Sequence, residues 1–437
     1  MMQLFLGTSK VDITPEHPIE LAGYAHRQTP SEEVKSRLYL RAFYFAWHQG
    51  KEETKQAVLL IGDLIWWGSD YVPLLKREIK KEWGIEWDAI ILHATHNHSG
   101  PQTSNHFTAY LGKADEHYLE FLKRQLREAI ESARNNTEAV AIKRAATTCH
   151  IGMNRRQFDH GKIVMAPNPD GVIDSEVILL KFLTASGNMK ALLTHYTCHP
   201  TTTGDNAISS EFPGHAMAVL EESYNQGFIA GYLQGCCGDI RPALIKEGEF
   251  YRGKQEDIER LGMKLAKKID GVLTNGQWSK VEVEKFQVHS SEIRLAFYDQ
   301  PCFEDTIQPV ELKSEWKRAV QKKFYLGQGN TVPLRMTLWK ISSNLSFLTF
   351  NAEVVAEYGL QLKEKYDGKI IPLPYSNGMI GYVPTANQIS EGGYEAIESC
   401  SYFALPSPFS KEIEMEIYRG IDELILKGER LPNGIQP

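Results

Sequence analysis

The stretch ATHNHSGP, residues 94–101, sets two imidazoles, His96 and His98, directly after the apolar run Ile90, Ile91 and Leu92 and just before a Gly-Pro break. Thr, Asn and Gly are ordinary turn formers, and histidine is not. If the strand runs on through them, positions i and i+2 face the same side. Both rings would then converge on one site at a sheet edge, where they could ligate a metal or move protons. The alternative is two polar turn residues. His93 falls in the opposite register and reads as structural.

Three further segments carry candidate chemistry. In HYTCHPTTTGD (195–205), His199 ends the apolar strand ALLTHYT and again precedes proline. Two strand-end histidines from distant parts of a chain suit zinc, which takes three or four N, O or S ligands and keeps a position for water when catalytic. QGCCGDIRP (234–242) projects Asp239 and Arg241 from a glycine turn, and MNRRQ (153–157) offers Arg155 and Arg156 to an anionic or carbonyl group. Asp63, closing AVLLIGD, either orients a ligating histidine or caps a strand. Glu211 and Asp205 either assist a second ion or make local loop hydrogen bonds.

Alternating elements must position these residues. Branched and aromatic runs predict strands over 38–47, 57–63, 89–95, 176–183, 189–197, 228–235, 281–297, 331–341 and 345–350. Helical spacing predicts helices over 71–83, 118–133, 214–224, 258–269, 354–366 and 411–426, with Pro73 tolerable only in a first turn. The expected class is α/β with mixed β-sheets flanked by helices. Residues 1–437 are expected to form a single unit, with a possible β-rich subdomain at about 280–350.

At 437 residues, 42% hydrophobic and 24% charged, the chain has the composition of a globular protein. A net charge of -7 argues against a general nucleic-acid binder. The start, MMQLFLGTSKVDITP, lacks the pattern of a secretory signal. No stretch approaches the roughly 20 apolar residues that span a bilayer. Cysteines at 149, 198, 236, 237, 302 and 400 show no zinc-finger or disulfide spacing, so a reducing cytoplasm is the expected home.

Taken in order, these segments resemble the catalytic domain of the neutral/alkaline non-lysosomal ceramidase family. The resemblance begins at GTSKVDITP (7–15) and GYAHR (23–27) and passes through ATHNHSGP, MNRR, the His199 segment and QGCCGDIRP. It continues through FNAEVVAEYG (350–359) to NGMIGYVPTANQISEGGYE (377–395), and so covers nearly the whole chain. ATHNHSGP, beside the family's His-Thr-His-Ser-Gly-Pro, is the most specific match.

The resemblance implies one zinc per chain, held by His96, His199, Glu353 and Tyr382. It implies a hydrolase in which zinc-bound water attacks a linear amide (N-acyl) bond. Arg155 matches the family's Asn-Arg-Ser-Pro arginine, and Tyr394, followed by Glu395, matches a tyrosine that contacts substrate. His98, Arg155, Tyr394 and Asp239 are the expected catalytic residues, and Arg241 and Arg156 the substrate-binding ones. A phenol as fourth ligand must be largely deprotonated or strongly polarised by the metal.

Two departures shape the expectation. Where the family has Gly-Asp-Val-Ser-Pro-Asn with a serine regarded as catalytic, this chain reads GDIRPA, with Arg241 in the serine's place. An arginine cannot accept an acyl group, and its rigid fork of donors suits a carboxylate, phosphate or polyhydroxylated partner. The chain also stops soon after KEIEMEIYRGIDELILKG, without the immunoglobulin-like domain that ceramidases of the family usually add. The expected substrate is therefore a small or lipid-like molecule more polar than ceramide, and homo-oligomers are possible. Ester hydrolysis at the same site, or a metal-stabilised binding protein without catalysis, are the alternatives. An amidohydrolase barrel fits less well, because no eightfold strand–helix alternation is visible.

Overall fold

A computed structural model describes residues 2–27, 29–50, 52–224, 227–298, 303–326 and 329–429; Cys302 lies outside them. Its largest sheet has nine strands. Across it run Ile229–Gln234, Met189–Tyr196, Glu176–Thr184, Glu138–Thr148, Met2–Asp12, Tyr39–Gln49, Glu52–Gly62 and Ile90–Ala94, with Ser279–Val281 paired onto Glu138–Thr148. Pairing is antiparallel except at the two ends, where Met189–Tyr196 lies parallel to Ile229–Gln234 and Glu52–Gly62 parallel to Ile90–Ala94. The two edges meet: Gln234 N donates to His93 Nε2 at 2.9 Å.

A second, four-stranded sheet runs Gln287–Ala296, Thr331–Ser342, Leu345–Phe350, Ile370–Leu373, its last pair parallel. The segment leaving it is stitched to the outer edge of Ile90–Ala94. Ala94 N donates to Tyr375 O at 3.1 Å and Asn377 N to Leu92 O at 2.8 Å. The loops leaving the carboxyl ends of Ile90–Ala94, Met189–Tyr196, Ile229–Gln234 and Leu345–Phe350 are thereby brought together. That is the end of a parallel strand set where α/β proteins commonly bind ligands.

The helices follow local rules. Glu116–Asn135 starts at Asp115, whose side chain accepts from Tyr118 N at 2.8 Å, and it buries Tyr118, Leu122, Leu126, Ala129, Ile130 and Ala133 at helical spacing. Val72–Trp83 carries its proline in the first turn and stops at Gly84, whose φ of 70° suits glycine. Glu211–Tyr224 and Gln255–Asn275 pack together beside Ile229–Gln234. No helix among the described residues is long and apolar enough to cross a membrane.

The mixed α/β class expected from the alternation is the observed one. The predicted strand 281–297 is two strands in different sheets, Ser279–Val281 and Gln287–Ala296. The β-rich stretch at 280–350 also contains an unanticipated helix, Val310–Tyr325. Its sheet shares one buried apolar cluster with the first, from Leu4 to Leu424.

Candidate metal centre and active site

The strand Ile90–Ala94 ends before the two histidines, so the i, i+2 argument does not apply to them. The chain turns instead at His96, whose φ of 61° is a left-handed conformation that non-glycine residues adopt only when the surroundings enforce it. The enforcement is visible. His96 Nδ1 lies 2.9 Å from Ile65 O, and its ring stacks on Tyr375 with centroids 4.0 Å apart. Tyr375, itself at φ 56°, sits 3.1 Å through its hydroxyl from Cys237 Sγ.

His199 arrives from the loop after Met189–Tyr196, with Nδ1 2.6 Å from Cys237 O and 3.0 Å from Ile240 O. A carbonyl oxygen only accepts, so Nδ1 carries the hydrogen in both rings, and both Nε2 lone pairs point inward. Those two Nε2 atoms are 2.8 Å apart. His98 Nε2 stands 3.2 Å from His96 Nε2, and the three histidines together form a buried cluster able to hold a metal ion. Glu353 Oε2 lies 3.1 Å from His96 Nε2 and 3.4 Å from His199 Nε2, yet accepts no directed hydrogen bond. Inward lone pairs around a buried, unbonded carboxylate oxygen are a donor set that could hold a divalent cation.

Glu353 and Tyr382 are direct partners in the short parallel ladder of Glu353–Val354 with Tyr382–Val383. Arg155 Nη2 donates to the Tyr382 hydroxyl at 3.2 Å, while its Nε donates to Glu395 Oε1 at 2.8 Å. Its guanidinium also faces the ring of Tyr394, 5.5 Å from the centroid. Tyr394 and Glu395 begin a π-helical turn, Tyr394–Glu398, an insertion frequent at functional sites.

Electrostatics follow burial. Desolvation, then the neighbouring His96, depress His199 to about 4. Desolvation, then His96 and His199, hold His98 well below the ordinary imidazole range. Burial opposes ionisation of Glu353, but the facing imidazoles outweigh it and lower its carboxyl. Burial, then Glu353, raise the Tyr382 phenol, and Arg155 works against them.

A cavity of about 340 Å³ opens above this cluster; His98, Arg155, Tyr382, Tyr394 and Arg241 all line it. The other two candidates do not. Arg156 is consumed by Glu395 Oε2 at 2.7 Å, Glu391 Oε2 at 3.1 Å and Gly392 O at 2.9 Å. Asp239 is buried behind the wall, accepting from Ala356 N at 2.8 Å and Gln388 Nε2 at 3.0 Å, while its own carbonyl accepts from Arg155 N. Both position Arg155, the first by holding Glu395 in place and the second through the backbone.

Asp63 orients no ligand. It pairs with buried Arg41 at 3.1 Å and accepts from Tyr39 N. Glu211 accepts from Thr202 N and Thr203 N, and Asp205 pairs with Lys35, so neither joins a second metal cluster. Sequence reasoning passed over Tyr375, whose left-handed backbone leaves no trace in composition. It also passed over Arg252 and gave Tyr24 no role, although both line the cavity. Gly23 is required at the rim: its φ is 93°, and a Cβ there would lie 2.4 Å from His98 Nδ1.

Comparison with known proteins agrees with this architecture. The family described as neutral/alkaline non-lysosomal ceramidase, N-terminal, matches residues 4–260. The neutral ceramidase of Pseudomonas aeruginosa is 26% identical over 260 residues, 55% of this chain but 38% of that protein's length. Two solved structures share the fold over 100% of this chain and 77% of theirs, each at 19% identity. They are neutral ceramidase from Pseudomonas aeruginosa, TM-score 0.75, and a ceramidase complexed with C2, TM-score 0.76. With more than half of its length matched, the chain belongs to the neutral/alkaline non-lysosomal ceramidase family.

Proposed function

We propose that this protein is a zinc-dependent hydrolase that cleaves a linear amide (N-acyl) bond, with the corresponding ester as an alternative substrate for the same residues. One observation carries the reading: the His96 and His199 Nε2 lone pairs face each other across 2.8 Å, beside the unbonded Glu353 Oε2. His96, His199 and Glu353 would hold the ion, with Tyr382 beside Glu353 as the fourth donor. A bound zinc ion supplies Lewis acidity toward a carbonyl and makes water a nucleophile near neutral pH.

The chain's own residues do the rest. His98 borders the cavity and is uncharged at neutral pH, because burial first, then the other two histidines, depress it. Its Nδ1, buried without a hydrogen-bond partner, is the ring nitrogen open to take a proton and return it to a leaving amine. Burial keeps the Tyr394 phenol protonated, which makes it a donor to a developing oxyanion. Arg155, fixed by Glu395, holds the Tyr382 hydroxyl in place. Arg241 occupies the place of the family serine, so the acyl group passes to water without an enzyme ester. Five buried, unpaired cysteines among the described residues support a reducing, cytoplasmic home.

The test is metal content and turnover together. About one zinc per chain is expected in the parent. It should be lost in His96→Ala, His199→Ala and Glu353→Ala while circular dichroism stays native, with hydrolysis of simple N-acyl amides lost in parallel. Parent protein that stays metal-free after zinc is supplied would overturn the reading.

A further inference from the structure

The cavity lining is of two kinds. Leu111, Met165 and Tyr402 are largely apolar, while Arg155, Arg241 and Arg252 are cationic. Arg155 is paired with Glu395, and the side chains of Arg241 and Arg252 have no acidic partner among the described residues. Arg241 lies with its guanidinium 4.4 Å from the Phe250 ring centroid, and its buried Nε is without a hydrogen-bond partner. Arg252, exposed and two residues beyond the hairpin of Ile245–Lys246 with Glu249–Phe250, lies 4.2 Å from the Tyr24 ring centroid. Arg27 covers the same ring at 4.6 Å, so Tyr24 carries two guanidiniums.

Arg27 donates through its terminal nitrogens to backbone, to His98 O at 2.5 Å and Asp205 O at 2.6 Å, while its buried Nε has no partner. Neither the Arg241 nor the Arg252 side chain makes an ion pair or a hydrogen bond among the described residues. Nearby acids are already engaged: Glu395 with Arg155 and Arg156, and Glu211 with Thr202 and Thr203.

Such an arrangement has a cost. Burial, with repulsion from Arg155 and Arg252, pulls Arg241 down to about 10. Arg241 is only partly exposed, so an anion that pairs with it would offset the desolvation of its guanidinium. Stacking on Phe250 and Tyr24 leaves the donor forks of both arginines free, which suits bidentate contact with an oxyanion.

We propose that the substrate is an acyl compound whose non-acyl part bears a carboxylate or phosphate-type oxyanion, seated by Arg241 and Arg252 while the acyl chain lies against Leu111, Met165 and Tyr402. Arg252 is then a specificity-determining residue, and Arg241 selects substrate where the family's serine would stand. The inference rests on the hydrolase reading above and names the substrate class for the same site.

The experiment uses two matched pairs differing in charge: N-octanoylglycine against N-octanoylglycinamide, and N-octanoyl-O-phosphoethanolamine against N-octanoylethanolamine. Parent, Arg241→Met and Arg252→Met proteins are compared at equal metal content. The parent should favour the charged member of at least one pair by about tenfold or more in kcat/KM, the order expected of a charge-assisted contact. Preference in the first pair identifies a carboxylate, and in the second a phosphate. Both variants should lose it, chiefly through KM. Equal parent rates within both pairs, or preference surviving in both variants, overturns the proposal. If no compound turns over, the hydrolase reading fails for these amides and calorimetric binding of the same four decides. Selective binding of a charged member, weakened in both variants, upholds the oxyanion site, and its absence overturns it.

Discussion

Two strands of the large sheet each bring a pair of histidines, one inside the strand and one beyond its end. His93 and His195 are the inner pair; His96 and His199 are the outer pair. All four are buried. Desolvation pushes His93 to about 3 and His199 to about 4 and also depresses His195, so burial does not separate the pairs. Partners separate them. His93 meets Ser376 Oγ at 2.9 Å and accepts from Gln234 N, and His195 Nε2 lies 3.0 Å from Pro372 O. Each inner ring therefore ties strand to strand. Each outer ring spends Nδ1 on a carbonyl and turns Nε2 toward the other. A perturbed histidine becomes a ligand candidate only when its remaining nitrogen faces another donor.

Breaking the outer pair has the largest expected effect. His199→Ala should lower kcat/KM by on the order of 10³-fold or more, with metal lost and the fold retained. Metal analysis beside kinetics checks this. Next comes His98→Ala, expected to lower kcat by roughly 10²-fold or more, the range of general acid–base groups, while the metal stays bound. Loss of the metal as well would make His98 a ligand and widen the outer pair to a triad.

Disturbing the inner pair should act on stability instead. His93→Ala leaves the buried Gln234 N–H without its acceptor, at a cost of about 1–3 kcal/mol in urea unfolding, with metal content unchanged. The smallest effect is on pH dependence. His93 falls from its ordinary 6.5 to about 3 in the folded chain. Between those values the unfolded chain binds a proton that the native one refuses, so stability is full above the window and is lost as pH drops through it. His93→Gln should flatten that acid limb, measured as urea midpoints from neutral pH to about pH 4. An unchanged slope would mean that His93 does not share the titration of the inner pair.

The contrast also explains what could be read in advance. ATHNHSGP and HYTCHP announced that histidines gather at strand ends, and the branched runs before them located those ends to within a few residues. The convergence of His96 and His98 had a different cause from the one expected: a left-handed turn at His96, not strand alternation. Arg156 and Asp239 looked like site residues because they flank Arg155 and Arg241. Their side chains point into the surrounding wall, where Glu395, Gln388 and Ala356 N take them up. Arg252 gave no signal, because a lone arginine in a polar loop resembles any solvated one. The helix Val310–Tyr325 was hidden for a related reason. Its buried residues are Leu312 and Trp316, too few to mark a helical stripe.

The ladder that sets Glu353 beside Tyr382 has a consequence for how the molecule matures. During synthesis His96 and His199 emerge well before their carboxylate and phenol partners. A fragment ending at residue 260, the extent of the family match, would contain both rings and lack Glu353. The donor set closes only when the segment Tyr375–Asn377 docks on the strand that precedes His96, a pairing between distant parts of the chain and so a slow one. A metal held by this donor set would thus be retained tightly only late in folding, and its retention would report that the last long-range pairing has been made.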